Sequence, residues 1–184
     1  MDIKNNKKAF TLVELLVTSG IVAIVASMFF VNYHSTNKRS ELIMAIQNLA
    51  SDLRQAQSNS LGLFLYDSSS PSGGWGVHMN INDSATSYKL FADNDGDYSY
   101  DSGESNTIFG GKNVNLPDGV IIDSINNGSS VNLVDITFYP PDPDTYIYSS
   151  SATSTSVTIT LKETVSETTK AVTVNFTGLV DVID

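Results

Sequence analysis

The sequence of 184 residues contains no cysteine, two histidines, and ten lysines and arginines against twenty acidic residues, a formal net charge of −10. The lack of cysteine excludes disulfides, thiolate nucleophiles and metal sites built on cysteine ligands. The shortage of basic residues argues against a general nucleic-acid-binding protein, because such proteins need positive charge to displace counterions from phosphates. The length is sufficient for one domain with a hydrophobic core.

Sequence patterns of common catalytic sites are also lacking. The chain contains no G-x-S-x-G, H-E-x-x-H or P-loop pattern. Its histidines are His34, near the N-terminal apolar segment, and His78, within a predicted strand. A single histidine in a strand is far more often a structural or surface residue than a catalytic base. We therefore expect a protein that is not an enzyme.

The charge is divided unevenly along the chain. Residues 1–9 hold three lysines and one aspartate, a local charge of +2, so the remainder carries −12. The next segment, residues 10–31, is apolar except for a few small polar residues and a single charge, Glu14. As a helix it would be roughly 33 Å long, enough to cross the hydrocarbon core of a membrane. The lysines would remain in the cytoplasm, which places the rest of the chain across the membrane.

Three interpretations of this N-terminal segment compete. A secretory signal peptide has a similar basic start, but its apolar stretch is usually shorter, and the best small-residue cleavage pattern, ending at Ala26, is poor. A plain membrane anchor leaves Glu14 unexplained, because a carboxylate costs roughly 2.5–3.5 kcal/mol at the centre of a spanning helix and less near its end. The third interpretation gives Glu14 a partner, since a buried carboxylate is tolerated when it is paired.

The string KKAFTLVELL carries this third interpretation, because it resembles the type III signal of type IV pilins and type II secretion pseudopilins. The resemblance implies that prepilin peptidase cleaves between Ala9 and Phe10 and that Phe10 is then N-methylated. It also implies that Glu14 pairs with the α-amino group of a neighbouring subunit in a filament. Ala9 stands where the family more commonly has glycine, so processing is expected to be slower.

Residues 32–62 are predicted to continue the helix with an amphipathic pattern. The apolar positions follow a helical spacing, and they are Leu42, Ile43, Ile46, Leu49, Leu53, Ala56 and Leu61. Gly62 is a plausible end, and Ser40 is a weak start signal if the helix breaks there. Residues 10–65 contain no proline, and the resemblance makes that typical of a minor subunit rather than a major pilin.

Residues 63–184 are predicted to form a β-rich globular domain, because short β-favouring runs alternate with Ser, Gly, Asn, Asp and Pro clusters. The predicted strands are 75–81, 88–92, 107–109, 119–125, 135–139, 156–162 and 171–176, with a further segment at 179–183. The predicted loops are 67–74, 140–144 and 149–156. The expected fold class is therefore α+β, a long N-terminal helix packed on an antiparallel β-sheet, which the family resemblance identifies as the pilin fold.

The order of several short motifs also resembles the minor pseudopilins of the GspH/FimT type. These motifs are a Gly-Trp-x-Val strand at residues 74–77, an acidic segment at residues 90–96 and a Phe-Thr-Gly turn at residues 176–178. Each match is weak alone, but all three occur in the family's order.

The acidic segment 93–104 predicts a calcium site. Laid on the twelve-position calcium loop, Asp93, Asp95, Asp97, Asp101 and Glu104 occupy positions 1, 3, 5, 9 and 12, and Ser99 the carbonyl position 7. Tyr98 stands where that loop normally has glycine, and no helices are predicted to flank it. The alternative is a solvated acidic turn without a metal. Calcium is favoured because five neighbouring carboxylates repel one another unless a cation is bound.

The family resemblance implies a structural role: a minor subunit of a type IV pilus or of a type II secretion pseudopilus. Its implied partners are prepilin peptidase, other pilin or pseudopilin subunits that contact the N-terminal helix, and an inner-membrane assembly platform. The precursor would be a single-pass inner-membrane protein with its globular domain in the periplasm or outside the cell. A pilus-tip adhesin or a DNA-uptake pilin is the alternative. The sequence leaves open the type of filament and the position within it.

Overall fold

The structure is a computed structural model that describes residues 10–66, 68–104, 113–141, 144–149 and 152–183. Within these ranges, the side chains of residues 29–37 and 152 are not described. The chain divides into two compact units, Met1–Asn37 and Lys38–Asp184. One helix, α1 (Leu12–Leu61), has residues in both units.

In the part of α1 that lies in the first unit, the described side chains are mainly apolar, apart from Glu14 and a few hydroxyl groups. Its large side chains are exposed, from Leu12 at 81% to Val25 at 48%. The described hydroxyl groups of this part bond to the helix backbone: Thr18 Oγ1 donates to the carbonyl of Leu15 over 3.1 Å, and Ser27 Oγ donates to that of Ile24 over 2.7 Å. Among the residues that the structure describes, no helix meets the length and apolarity that a membrane span requires.

The part of α1 in the second unit is amphipathic, as predicted. Its buried side chains recur every three or four residues and are Leu42, Ala45, Ile46, Leu49, Ala50, Leu53 and Ala56. Two residues of the predicted stripe, Ile43 and Leu61, are instead exposed. The helix continues through Ser40 without a break and ends at Leu61, where the amide of Gly62 donates to the carbonyl of Ser58 over 2.9 Å.

Eleven strands follow in the described part of the chain. In chain order they are β1 (Gly74–Asn80), β2 (Ser87–Asp93), β3 (Asn113–Asn115), β4 (Val120–Asn126), β5 (Ser130–Val131), β6 (Leu133–Phe138), β7 (Thr145–Ser149), β8 (Ala152–Ser154), β9 (Ser156–Glu163), β10 (Thr169–Asn175) and β11 (Val180–Ile183). They form two sheets, ordered β3-β2-β1-β6-β7-β8 and β11-β10-β9-β4-β5, and every pairing is antiparallel. The α+β class with antiparallel strands is confirmed, whereas the division into two sheets was not predicted.

Some predicted loops and strands need correction. The predicted loop 149–156 is wrong, because it contains β8 and the ends of β7 and β9. Its Ser/Thr composition suggested a loop, but β8 pairs with β7, so the backbone groups on that side of β8 are hydrogen-bonded within the sheet. The strands β3, β5 and β7 were missed. The predicted strand 107–109 lies outside the described residues.

The hydrophobic core of the second unit combines both sheets with the amphipathic part of α1. In β9, for example, Val157, Ile159 and Leu161 are buried in strict alternation. In the first sheet, β1 lies between β2 and β6. The register of β1 therefore places His78 opposite Lys89 on one side and opposite Asp135 on the other.

Candidate functional site

The N-terminal motif places its residues at the start of α1. Ala9 lies outside the described residues, whereas Phe10 is described, precedes the helix and is 77% exposed. Thr11 is the N-cap: its Oγ1 accepts the amide N–H of Glu14 over 3.2 Å, and its carbonyl accepts the amide N–H of Leu15 over 3.2 Å. Glu14 therefore occupies the third helical position, in the first turn and exposed to solvent.

This cap was missed in the sequence, although its signal is present. Thr11-Leu-Val-Glu14 matches the S/T-x-x-E pattern of a capping box, which marks helix starts. A carboxylate in the first turn also interacts favourably with the positive end of the helix dipole. The Thr11 hydroxyl thus caps the first turn of α1 by accepting the backbone N–H of Glu14.

The acidic loop follows β2 and begins with a buried carboxylate. Asp93 has no exposed surface, and its two oxygens accept amide N–H groups from Gly96 over 2.7 Å and from Tyr98 over 2.8 Å. Gly73 lies against it, since a Cβ atom built on Gly73 would stand 1.8 Å from Asp93 Oδ2. The Asp93 carboxylate therefore holds the turn in place by accepting hydrogen bonds from its backbone amide groups.

The other end of the loop is held by a second buried carboxylate. Glu104 Oε1 accepts the amide N–H of Asn94 over 2.8 Å, and Oε2 accepts that of Asp101 over 3.0 Å. The first of these bonds joins the last position of the loop to its second position, and the other joins it to position 9. Glu104 thus closes the loop.

The three aspartates at the start of the loop come together. One carboxylate oxygen from each of Asp93, Asp95 and Asp97 lies within 4.8 Å of the others, a spacing that oxygen ligands around one cation can adopt. Asp101 and Glu104 do not belong to that group. At position 7, Ser99 Oγ donates to Asp135 Oδ2 over 3.4 Å. The structure thus brings together three of the five predicted acidic ligands, and calcium binding stays a prediction.

Burial controls the protonation of the two carboxyl groups that hold the loop. Burial raises the pKa of Asp93 and outweighs the opposite effect of the hydrogen bonds from Gly96 and Tyr98. Burial likewise raises the pKa of Glu104, against the hydrogen bonds from Asp101 and Asn94. Nearby carboxylates add a smaller increase in both cases. A cation at this loop would favour the ionised forms.

The backbone conformation of the loop explains how Tyr98 can stand where a calcium loop normally has glycine. Gly96 has φ 82° and Tyr98 has φ 64°, so the tyrosine adopts the left-handed conformation that glycine usually supplies. Its ring stacks on Tyr146, with centroids 3.9 Å apart and an interplanar angle of 11°, and meets Tyr139 edge-on at 5.8 Å. These contacts offset the cost of the left-handed backbone, which a non-glycine residue otherwise avoids.

A buried histidine–aspartate pair connects the loop to the first sheet. His78 Nδ1 lies 2.6 Å from Asp135 Oδ1, and both residues are buried. Ser99 bonds to Asp135 and not to the imidazole, so the group lacks the nucleophile–base contact of a catalytic triad. Asp135 was missed in the sequence. Its one signal is an acidic residue within the apolar run Leu-Val-Asp-Ile.

Comparison with known protein families matches the N-terminal segment of the chain. Residues 4–30 match the family model of the prokaryotic N-terminal methylation motif. No curated protein and no solved structure is significantly similar to the chain. The matched segment includes Phe10, the cap at Thr11 and Glu14. It supports a type IV pilin-like protein that prepilin peptidase processes at its leader.

Proposed function

We propose that this chain is a minor subunit of a type IV pilus or of a type II secretion pseudopilus, of the GspH/FimT type and without enzymatic activity. The observation that carries the proposal is the methylation motif at residues 4–30. The α+β fold with antiparallel sheets is compatible with it. Prepilin peptidase removes residues 1–9, and Phe10 becomes the N-methylated first residue.

In this proposal the apolar start of α1 anchors the precursor in the inner membrane and then packs among other subunits. Support comes from residues 10–31, which contain one charge, and from the exposed apolar side chains between Leu12 and Met28. Glu14 pairs with the α-amino group of a neighbouring subunit, because an ionised carboxylate inside an apolar filament core needs a partner.

The proposal is tested by producing the full-length precursor with and without prepilin peptidase. We expect cleavage after Ala9 and a methyl group on Phe10, both read by mass spectrometry. Glu14→Gln should leave membrane insertion and cleavage intact and reduce incorporation into filaments. Glu167→Gln removes the same charge from a side chain that is 75% exposed, and it is the matched control. Absence of cleavage would contradict the proposal, whereas normal incorporation of Glu14→Gln would contradict only the pairing of Glu14 with a neighbouring α-amino group.

We also propose that the acidic loop binds calcium and that the ion stabilises the globular unit. The support is the convergence of Asp93, Asp95 and Asp97 within 4.8 Å. Millimolar calcium should raise the melting temperature relative to a chelator, and Asp95→Asn should abolish that rise. Asp123→Asn, an exposed site on β4, is the control. Equal melting temperatures with calcium and with chelator would refute this role and leave the filament proposal untouched.

A further inference from the structure

The cap at Thr11 determines which residues at the N-terminus can be helical. The helix begins at Leu12, so Phe10 and Thr11 lie outside it. The bond that fixes this start is the one from the amide of Glu14 to Thr11 Oγ1, at 3.2 Å. Phe10 is the first residue after the proposed cleavage site, and it is 77% exposed.

The sequence upstream offers another place for the helix to begin. Lys7, Lys8 and Ala9 have good intrinsic helix propensity, and Asn6 before them is a favourable N-cap residue. A helix starting there would include the bond between Ala9 and Phe10. Inside a helix, a peptide group is hydrogen-bonded and its carbonyl carbon is shielded from a peptidase. The position of the cap therefore determines whether this bond is open to cleavage.

We infer that Thr11 is a positioning residue for leader cleavage: its hydroxyl starts α1 at Leu12 and so keeps Phe10, the residue that follows the bond to be cleaved, outside the helix. This inference rests on the proposed function. Cleavage is a hydrolysis in which water adds across the bond, leaving a carboxylate on Ala9 and an ammonium group on Phe10. Thr11 takes no part in that step and acts through the backbone conformation it imposes on its neighbours.

The test compares initial cleavage rates of membrane-inserted full-length precursors by prepilin peptidase. Thr11→Ala and Thr11→Val both remove the hydroxyl, and valine keeps the shape of the side chain. Both should be cleaved measurably more slowly, by at most about five-fold, because an N-cap is typically worth roughly 1 kcal/mol and the full factor applies only where the longer helix dominates. Thr11→Ser and Thr11→Asn restore a capping oxygen and should be cleaved at the rate of the unmodified precursor.

Thr18→Ala is the matched control, because it removes the same hydroxyl from a residue that bonds to Leu15 inside the helix and caps nothing. It should be cleaved normally. If Thr11→Val is cleaved normally while Thr11→Asn is slow, the peptidase recognises the threonine shape and the inference is wrong. Equal rates for all Thr11 variants would also overturn it.

Failure of the proposed function gives a different result. In that case the unmodified precursor itself is not cleaved by prepilin peptidase, whatever residue stands at position 11. A cleaved unmodified precursor with no effect of Thr11→Ala or Thr11→Val keeps the proposed function and rejects the positioning role alone.

Discussion

Replacing Gly73 with alanine would place a methyl group on the buried carboxylate that begins the acidic loop. The new Cβ would lie 1.8 Å from Asp93 Oδ2, 2.2 Å from its Cγ and 2.8 Å from its Oδ1. Asp93 cannot yield cheaply, because it is fully buried and both of its oxygens accept amide N–H groups from the loop. Gly73 is not among the glycines with positive φ, so the expected effect comes from the contact and not from the backbone conformation.

The magnitude depends on the hydrogen bonds that the Asp93 carboxylate must give up. Moving it loses two hydrogen bonds to an ionised group, each worth roughly 1.5–3 kcal/mol, and overpacking adds strain. Alanine stabilises by roughly 0.4–1 kcal/mol because it restricts the unfolded chain. The loss is larger, so we expect Gly73→Ala to lower the free energy of unfolding by about 3–5 kcal/mol.

Urea unfolding followed by tryptophan fluorescence measures this change, because Trp75 is the only tryptophan and is buried in β1. Gly103→Ala is the matched control: among the described atoms, nothing lies within 4 Å of a Cβ built there. In an Asp93→Ala background the atoms that clash are gone, and Gly73→Ala should then cost no more than the control. The reasoning would be refuted if Gly73→Ala lowered the free energy of unfolding as much in the Asp93→Ala background as in the unmodified protein, or if it had no effect in the unmodified protein.

Three further predictions concern side-chain contacts. Burial raises the pKa of Asp93 and of Glu104, so their contribution to stability is complete below the ordinary carboxyl pKa and is lost as pH rises through the raised pKa values. The double variant Asp93→Asn, Glu104→Gln should therefore make the midpoint of urea unfolding less dependent on pH over that range. Hydrogen bonds from the following turn lower the pKa of Glu163, so its contribution to stability is present at neutral pH and is lost on acidification. In Glu163→Gln, the midpoint of urea unfolding should no longer show this loss at acidic pH. Tyr88→Phe removes the bond to Asp52 Oδ2 at 2.7 Å and should cost about 1–2 kcal/mol in urea unfolding, whereas a change below about 0.3 kcal/mol would mean that water replaces the hydroxyl.

The parts of the fold that could be predicted from the sequence are those whose burial is periodic. The amphipathic part of α1 and the alternating β9 and β10 appear where their apolar spacing puts them. The strand β8 could not be predicted in this way, because Ala-Thr-Ser has no apolar period and becomes a strand through its pairing with β7. Short edge strands depend on a distant partner more than on their own residues.

The same distinction applies to the acidic loop. The spacing of the carboxylates predicts that Asp93, Asp95 and Asp97 approach one another, because a tight turn brings alternate residues together. The spacing does not predict that Glu104 bonds to amide groups of the loop, or that Ser99 reaches Asp135. Asp135 belongs to β6, and its position depends on a strand pairing between segments more than fifty residues apart in sequence.

Two explanations of Glu14 remain in competition, and one substitution separates them. In a capping box, the Glu14 side chain would accept the backbone N–H of Thr11 and so only fix the first turn of α1, a role that Gln serves about as well as Glu. As the partner of an α-amino group, it must carry a negative charge, which Gln lacks. Glu14→Ala would remove both functions and could not distinguish them. A loss of incorporation in Glu14→Gln with normal cleavage therefore assigns the charge to assembly, whereas normal incorporation would reduce Glu14 to a helix-starting residue.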